Sequence, residues 1–110
     1  MANSRVQRGR ETEQLVADYL VEHGWAHAER NPASLPGRDV KGIAGVGIEC
    51  KARRDFSPAA WMRQAQKNAD EDLAVVVMRP DGVGPAKIRE WPVILRLVDF
   101  VSLLKEAGYQ

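Results

Sequence analysis

Residues 37–53, GRDVKGIAGVGIECKAR, contain the pattern that decides the predicted fold. The segments RDVKGI and GIECKA are each typical of a strand, and the glycines of AGVG between them suit a tight connection. Because side chains alternate along a strand, Glu49 and Lys51 project from the same face. Asp39 begins the first of the two strands. The stretch therefore predicts two adjacent strands that bring two carboxylates and one ammonium group close together.

The segment before this pair predicts one helix and one further strand. Apolar residues at helical spacing indicate a helix over residues 10–23, which Gly24 ends. A short strand is expected over residues 25–29. NPASLPG then forms a loop, because two prolines and a glycine exclude regular structure.

The segment after the pair predicts two helices and two strands. SPAAWMRQAQKNA is typical of a helix with Ser57 as the N-cap and Pro58 in the first helical position. LAVVVMR indicates a strand buried on both faces. WPVILRL indicates a strand that Pro92 restricts to an edge or a strand start, and VDFVSLLKEAG a last helix. The whole order predicts an α/β fold with a central mixed sheet flanked by helices.

Composition indicates one ordinary globular domain over residues 1–110, with 45% apolar and 28% charged residues. The net charge of +1 means that attraction to nucleic acid must come from a local patch. The single cysteine, Cys50, fits a reducing compartment. No apolar run is long enough to span a bilayer, and MANSRVQRGR lacks the apolar core of a signal peptide. We therefore expect a cytoplasmic protein without a membrane partner.

The carboxylates of Asp39 and Glu49 suggest a metal site. Two carboxylates brought together repel each other, and a hard divalent cation such as Mg²⁺ relieves that repulsion. The bound ion activates water and stabilises charge on a phosphoryl oxygen. Lys51 can orient the water or balance charge, and the backbone carbonyl of Cys50 is a further candidate ligand. The alternative is a surface ion pair, because Glu-x-Lys is common by chance.

GRDV…GIECK resembles the core motif of the PD-(D/E)xK nucleases, with Gly37 and Arg38 in place of the usual proline before Asp39. RGRETEQLVADYL is similar to the opening of the archaeal-type Holliday-junction resolvases, in which a glycine precedes a glutamate by four positions, here Gly9 and Glu13. AWMRQAQKNA followed by LAVVVMR resembles a phage-associated branch of the superfamily. The resemblance covers nearly the whole chain. It implies a restriction-endonuclease-like core and a metal-dependent endonuclease of DNA recombination and repair that cuts branched DNA.

The resemblance also implies which residues form the active site. Asp39 and Glu49 would bind Mg²⁺ or Mn²⁺, and Lys51 would be the catalytic lysine. Glu13 would complete or support the metal site from the first helix. A polar active-site residue would come from the second helix, either Gln64 or Gln66, of which Gln64 is the first choice.

Basic residues cluster in two places, and we expect them to contact the DNA backbone. One cluster lies in the N-terminal segment, where residues 1–9 are predicted to form a flexible basic arm. The other follows Lys51. A solvated charge run is the usual explanation of such clusters, but proximity to a phosphate-cutting site favours phosphate contacts. Ser34 is added from the resemblance to the resolvases, so the predicted DNA-binding set is Arg5, Arg8, Arg10, Ser34, Arg38, Arg53 and Arg54.

The main functional prediction is a Holliday-junction-resolving endonuclease. Two alternatives stay open: a nuclease of the same fold that cuts flaps, forks or duplex DNA, and a non-catalytic nucleic-acid-binding module. The clustered carboxylates argue against a pure binder. We also expect a homodimer, because a four-way junction needs two nicks, and Trp61 and Trp91 could supply the interface. The sequence leaves open a phage or a cellular origin, with the host cytoplasm as the location for a phage protein.

Overall fold

The computed structural model describes residues 4–32 and 35–110, which form a five-stranded sheet flanked by helices. The helices are α1 (Ser4–Glu22), α2 (Pro58–Ala69) and α3 (Leu97–Glu106), and the strands are β1 (Glu29–Arg30), β2 (Val40–Lys41), β3 (Val46–Lys51), β4 (Leu73–Met78) and β5 (Val93–Ile94). A 3₁₀ segment, Pro85–Glu90, precedes β5. The predicted order of helices and strands is confirmed.

The sheet is mixed, as predicted, and its strand order follows the chain from β1 to β5. β3 and β4 run parallel and pair from Val46 opposite Leu73 to Lys51 opposite Met78. The other neighbouring strands are antiparallel. β5 directly follows Pro92 and forms one edge of the sheet, which is the position that a proline tolerates.

α1 and α2 lie on opposite faces of the sheet. On β4, Ala74 and Val76 pack with Trp61 of α2, whereas Val75 and Val77 belong to the apolar cluster that contains α1. This division follows from the alternation of side chains along a strand. The α1 face of β4 is only half-buried, so the prediction of a strand buried on both faces is wrong for that face. α1 leaves part of it uncovered.

The expectation that Trp61 and Trp91 supply a dimer interface is also wrong. Both side chains are 5% exposed and pack inside their own chain. Trp61 meets Phe56 edge-on, with 5.6 Å between the ring centroids. The guanidinium of Arg79 lies 5.3 Å from the centre of the Trp91 ring, at cation–π distance. Each tryptophan is therefore mainly a core residue of its own chain.

α1 begins earlier than predicted and ends where predicted. Residues 4–9 are helical, so the flexible arm predicted over residues 1–9 is corrected there to the first turns of α1, and residues 1–3 lie outside the described residues. Arg8 ties these turns to the loop after β4 by donating a 3.3 Å hydrogen bond to the carbonyl of Pro80. At the other end, Gly24 has φ +110°, and the Trp25 N–H bonds the carbonyl of Leu20 over 3.0 Å. A glycine in this conformation is the usual end of a helix.

The strand expected over residues 25–29 is reduced to the two residues of β1. The reason is a turn after the helix, in which the Ala28 N–H bonds the Trp25 carbonyl over 3.0 Å. β2 is likewise shorter than its predicted segment. Both corrections concern strand length, which depends on pairing partners more than on local sequence.

Gly47 allows β3 and α2 to approach each other closely. A Cβ atom at this position would lie 2.8 Å from the Cβ of Ala69, nearer than real Cβ atoms come. The strand residues that follow therefore reach the side chains of α2. Among the described residues, no helix combines the length and the apolar character needed to cross a membrane.

Candidate active site

The polar end of β3 faces α2 and carries two of the predicted site residues. Asn68 donates a 2.8 Å hydrogen bond to Oε1 of Glu49. Lys51 donates a 2.6 Å hydrogen bond to Oε1 of Gln64. Glu49 is 1% exposed and Lys51 8% exposed. Both side chains point to the same face, as the alternation predicts, and α2 supplies one amide partner to each.

Asp39 is held against β3 by two hydrogen bonds to the backbone of that strand. Its N–H donates to the carbonyl of Ile48 over 2.9 Å. Its Oδ2 accepts from the N–H of Cys50 over 2.8 Å. Because the carbonyl of Ile48 and the N–H of Cys50 point toward β2, the carbonyl of Cys50 points to the same side of the strand. Asp39 and this carbonyl therefore lie at one end of the β2–β3 pair.

The pKa of Glu49 is raised above its ordinary value of 4.5. Burial is the largest cause of that rise, which takes the pKa to about 7. The hydrogen bond from Asn68 opposes it, the charge of Asp39 and a side-chain hydrogen bond with Asp39 add to it, and Lys51 lowers it. A buried carboxylate with an acidic neighbour is costly in its ionised form unless a cation joins it.

Glu13 reaches the same region from α1. Burial raises its pKa to about 7, and the charge of Asp39 adds to the rise. Arg30 and Arg10 act in the opposite direction, and Nη1 of Arg30 lies 3.9 Å from Oε1 of Glu13. The structure therefore brings Glu13 and Asp39 into electrostatic contact, although they come from elements far apart in the chain.

The Cys50 thiol lies among these charges without taking part in them. Burial raises the pKa of the thiol well above its ordinary value, and the charges of Asp39, Glu13 and Glu49 add to the rise, while Lys51 lowers it. The thiol therefore stays protonated and packs with the α1-side apolar cluster. Only the backbone of Cys50 is a candidate for the site.

A cleft of about 290 Å³ opens beside Glu13 and Asp39. Arg10 and Arg38 are the basic residues in its lining, and Gly9 lies on the α1 side, one helical turn before Glu13. A Cβ atom added at Gly9 would meet nothing within 4 Å. The cleft thus gives access to the carboxylates from solvent, and the missing side chain at Gly9 widens it.

These groups fit a hard divalent cation. Among residues 4–32 and 35–110, no three acidic, histidine or cysteine side chains already stand in a metal-binding arrangement. Asp39, Glu49 and the Cys50 carbonyl nevertheless offer the oxygen donors that Mg²⁺ prefers, and Mg²⁺ usually keeps water and substrate phosphate as its other ligands. The raised pKa of Glu49 also fits, since burial, its largest cause, destabilises the ionised carboxylate and a bound cation would stabilise it.

The predicted DNA-binding residues differ in their exposure and in their contacts within the chain. Arg53 and Arg54 are exposed just beyond β3, and Arg54 lies 3.5 Å from Asp81. Arg38, in contrast, is committed to the fold: it pairs with Asp72 over 2.9 Å and bonds the carbonyls of Val46 and Ala69. These contacts join β3 to α2, and the predicted role of Arg38 in binding DNA stays a prediction.

The other predicted DNA contacts belong to α1 or to the loop before β2. Arg8 bonds the Pro80 carbonyl, Arg10 faces the cleft, and Arg5 belongs to the exposed first turn of α1. Ser34 lies outside the described residues.

Gln64 and Gln66 are separated by the structure. Gln64 accepts from Lys51, whereas the Gln66 amide, with its oxygen turned toward Arg96, accepts from that guanidinium over 2.8 Å. Sequence analysis missed Asn68. The spacing in the sequence indicates Asn68 as a candidate, because it is four residues after Gln64 and so lies on the same face of α2.

Sequence analysis also missed Arg79. This residue is 5% exposed and donates hydrogen bonds to Thr12 over 3.2 Å and to Glu11 over 3.3 Å. It therefore anchors α1, and with it Glu13, to the end of β4. Nothing in the local sequence marks Arg79 as buried.

The chain was also compared with known proteins. No protein-family model, no curated protein and no solved structure matches it. The resemblance to the PD-(D/E)xK nucleases therefore stays a prediction from short motifs, and the functional argument depends on the geometry of the site.

Proposed function

We propose that this chain is a metal-dependent DNA endonuclease that hydrolyses phosphodiester bonds in branched DNA, as Holliday-junction resolvases do. The observation that carries the proposal is that two carboxyl groups lie beside the buried ammonium of Lys51. Glu49 shares its face of β3, and Asp39 accepts from the N–H of Cys50, which lies between Glu49 and Lys51 in the strand. Such a carboxylate pair is unfavourable for the fold alone, whereas a divalent cation bound to phosphate makes use of it.

The roles of the residues follow from their positions. When bound, Mg²⁺ or Mn²⁺ would polarise the scissile phosphate and lower the pKa of a water molecule. Asp39, Glu49 and the Cys50 carbonyl would hold the cation. The ammonium of Lys51, oriented by Gln64, donates a hydrogen bond to the phosphate or to the attacking water. The water oxygen bonds to phosphorus and releases one proton to solvent, the bond from phosphorus to one sugar oxygen breaks, and that oxygen takes up one proton from solvent.

Glu13 has a supporting role in this proposal. It lies in the cleft beside Asp39, where it adds negative charge that attracts the cation. Arg79 acts as a positioning residue, because its hydrogen bond to Thr12 fixes the turn of α1 that precedes Glu13.

The substrate is proposed to bind mainly through its phosphates. The net charge of +1 provides little overall attraction, so Arg10, which lines the cleft, and the exposed Arg53 and Arg54, which follow β3, supply the local positive charge. Branched DNA is the proposed substrate because the motifs resemble those of the resolvases. Two copies of the chain would supply one nick to each of two strands.

The test is cleavage of matched four-way-junction, flap and duplex DNAs under one set of conditions. We expect cutting with Mg²⁺ or Mn²⁺, none with chelator, and the highest rate on the junction. Glu49→Gln should abolish cutting, whereas Glu71→Gln, a change at an exposed glutamate before β4, should not. Binding of all three DNAs without any cutting would contradict the proposed activity, and cutting confined to flaps or duplex would contradict the proposed substrate.

A further inference from the structure

α3 carries an apolar surface that its own chain does not cover. Every residue of α3 is exposed or half-buried. Leu97 is 76% exposed, and four other large apolar residues of the helix are at least 40% exposed. Asp99, Ser102 and Glu106 form a polar stripe along one side of the helix at spacings of three and four, and Lys105 lies beside them. Most of the helix circumference is therefore apolar and open to solvent.

A helix of this length needs a packing partner. α3 has ten residues, and isolated helices shorter than about 12–15 residues are marginal in water. Its N-cap position, Arg96, makes no side-chain capping hydrogen bond within the described residues. A single ion pair, between Arg96 and Asp99 over 2.9 Å, supports the first turn. These local contacts are small beside the apolar burial that normally stabilises a helix.

The same chain has an apolar groove that is also uncovered. It has a volume of about 510 Å³ and lies on the α1 face of the sheet, where β4 is only half-buried. Val75 and Val77 form its floor, and Trp25 and Val93 are exposed along it. α3 contributes none of the lining residues that the structure describes. The groove and the helix are thus two separate apolar surfaces of one chain.

We propose that α3 of a second copy docks in this groove and that the exchange is reciprocal, giving a two-fold symmetric dimer. Aromatic side chains have roughly 150–250 Å² of surface and Leu and Val somewhat less, so the exposed apolar parts of α3 and Tyr109 total on the order of 600 Å². Each copy also contributes the walls of its groove. Reciprocal docking can therefore approach the roughly 800 Å² per partner that a stable interface buries.

Charge at the rim of the groove agrees with this occupant. Arg89 is the charged member of the lining. The polar stripe of α3 carries two acidic residues, Asp99, which is paired with Arg96, and Glu106. A helix whose apolar faces enter the groove can leave this stripe at the rim, where Arg89 attracts Glu106. A purely apolar small molecule would form no ion pair with Arg89.

The dimer surface is independent of the proposed chemistry and is tested separately, by mass. Light scattering at micromolar concentration should give twice the chain mass for the wild type and for Glu49→Gln, which lacks the catalytic carboxylate. Leu103→Glu on α3 and Val93→Glu at the groove should each give monomers with unchanged circular dichroism, because both side chains are exposed. Ser102→Glu, on the polar stripe, is the matched control and should stay dimeric.

Mixing the two monomeric variants provides a second test. Leu103→Glu keeps an intact groove and Val93→Glu keeps an intact α3, so the mixture should recover dimer through one helix–groove contact. The emission of Trp25, which is 49% exposed, should shift to shorter wavelength as the wild-type dimer forms. A monomeric wild type would overturn the proposal. A dimer that persists in the Leu103→Glu variant would also overturn it. A dimer that persists in the Val93→Glu variant would do the same, because α3 would then dock at a site other than the groove.

Discussion

The ammonium of Lys51 donates a 2.6 Å hydrogen bond to Oε1 of Gln64, which joins the end of β3 to the middle of α2. One turn further along α2, Asn68 makes the matching bond to Glu49. The two amides thus hold Lys51 and Glu49, which lie two residues apart on one face of β3. This arrangement gives Lys51 a fixed direction and keeps it beside the carboxylates without making it a metal ligand.

Lys51→Ala should remove catalysis and leave metal binding intact, because an ammonium does not coordinate a cation. We expect Gln64→Ala to lower the cleavage rate by about 10-fold to 100-fold through loss of orientation, as for other groups that position a reactive side chain. Gln66→Ala, two residues along the same helix, is the control and should cut normally. Calorimetry with Mn²⁺ checks the metal. Loss of Mn²⁺ binding in a folded Lys51→Ala protein would contradict the assigned role.

Glu13 and Glu49 should make the stability of the metal-free protein depend on pH. Their pKa is about 7 in the folded chain, above the ordinary value of 4.5. Between pH 4.5 and about pH 7 the folded chain therefore binds more protons at these two carboxyl groups than the unfolded chain does. Their contribution to the free energy of unfolding is fully present below pH 4.5 and is lost as the pH rises through about 7. In thermal melts with chelator, the wild type should lose stability relative to Glu49→Gln between about pH 5 and about pH 8.

Added Mg²⁺ should counter this loss at the higher pH, because a cation stabilises the ionised carboxylates. Little stabilisation is expected near pH 5, where the two groups are protonated. Parallel melting curves for the wild type and Glu49→Gln, or stabilisation by Mg²⁺ that is equal at both pH values, would contradict the account of the carboxylates.

Gly9→Ala should stabilise the fold and weaken the reaction. Alanine favours a helix interior by roughly 1 kcal/mol over glycine, and the added Cβ meets nothing within 4 Å. The new methyl group would, however, enter the cleft one turn before Glu13, where DNA is proposed to approach. We expect a higher melting temperature together with a lower cleavage rate. A variant that is more stable and equally active would show that DNA does not come near this turn.

Arg53→Ala and Arg54→Ala should weaken binding to all DNA sequences alike. Each lost phosphate contact should reduce the slope of log affinity against log salt by about 0.9. Lys105→Ala, on α3, provides a charge-matched control and should keep the wild-type slope. Titrations at several salt concentrations measure these slopes. A change in sequence preference at constant slope would argue for base contacts instead.

The order and type of the elements could be predicted because their signals are local. Gly24 ends α1, Pro58 opens α2 and Pro92 sets β5 at an edge, each through its own backbone restrictions. Strand lengths could not be predicted in the same way. β1 and β2 extend only as far as their partners allow, and the turn at Trp25 replaces the start of the predicted strand.

The sequence predicts the parts of the candidate site in which a short pattern determines where a side chain points. It does not predict the parts in which the packing of distant elements determines this. Alternation along β3 places Glu49 and Lys51 on one face, but the bond from Asn68 depends on the close approach at Gly47. The burial of Arg79 depends on how α1 crosses the end of β4. The open surface of α3 was also beyond prediction, since an apolar pattern indicates burial without naming what covers it.

The central claim is that Asp39 and Glu49 act as a metal-binding pair in DNA hydrolysis, and Asp39→Asn tests it most directly. Asparagine keeps an oxygen that can accept from the Cys50 N–H, so the fold should be retained while the charge is lost. The decisive measurement is the single-turnover cleavage rate of a four-way junction in Mg²⁺, with junction binding measured in chelator. We predict that Asp39→Asn binds the junction like the wild type and cuts it at least about 100-fold more slowly. Cleavage by Asp39→Asn at the wild-type rate would contradict the account.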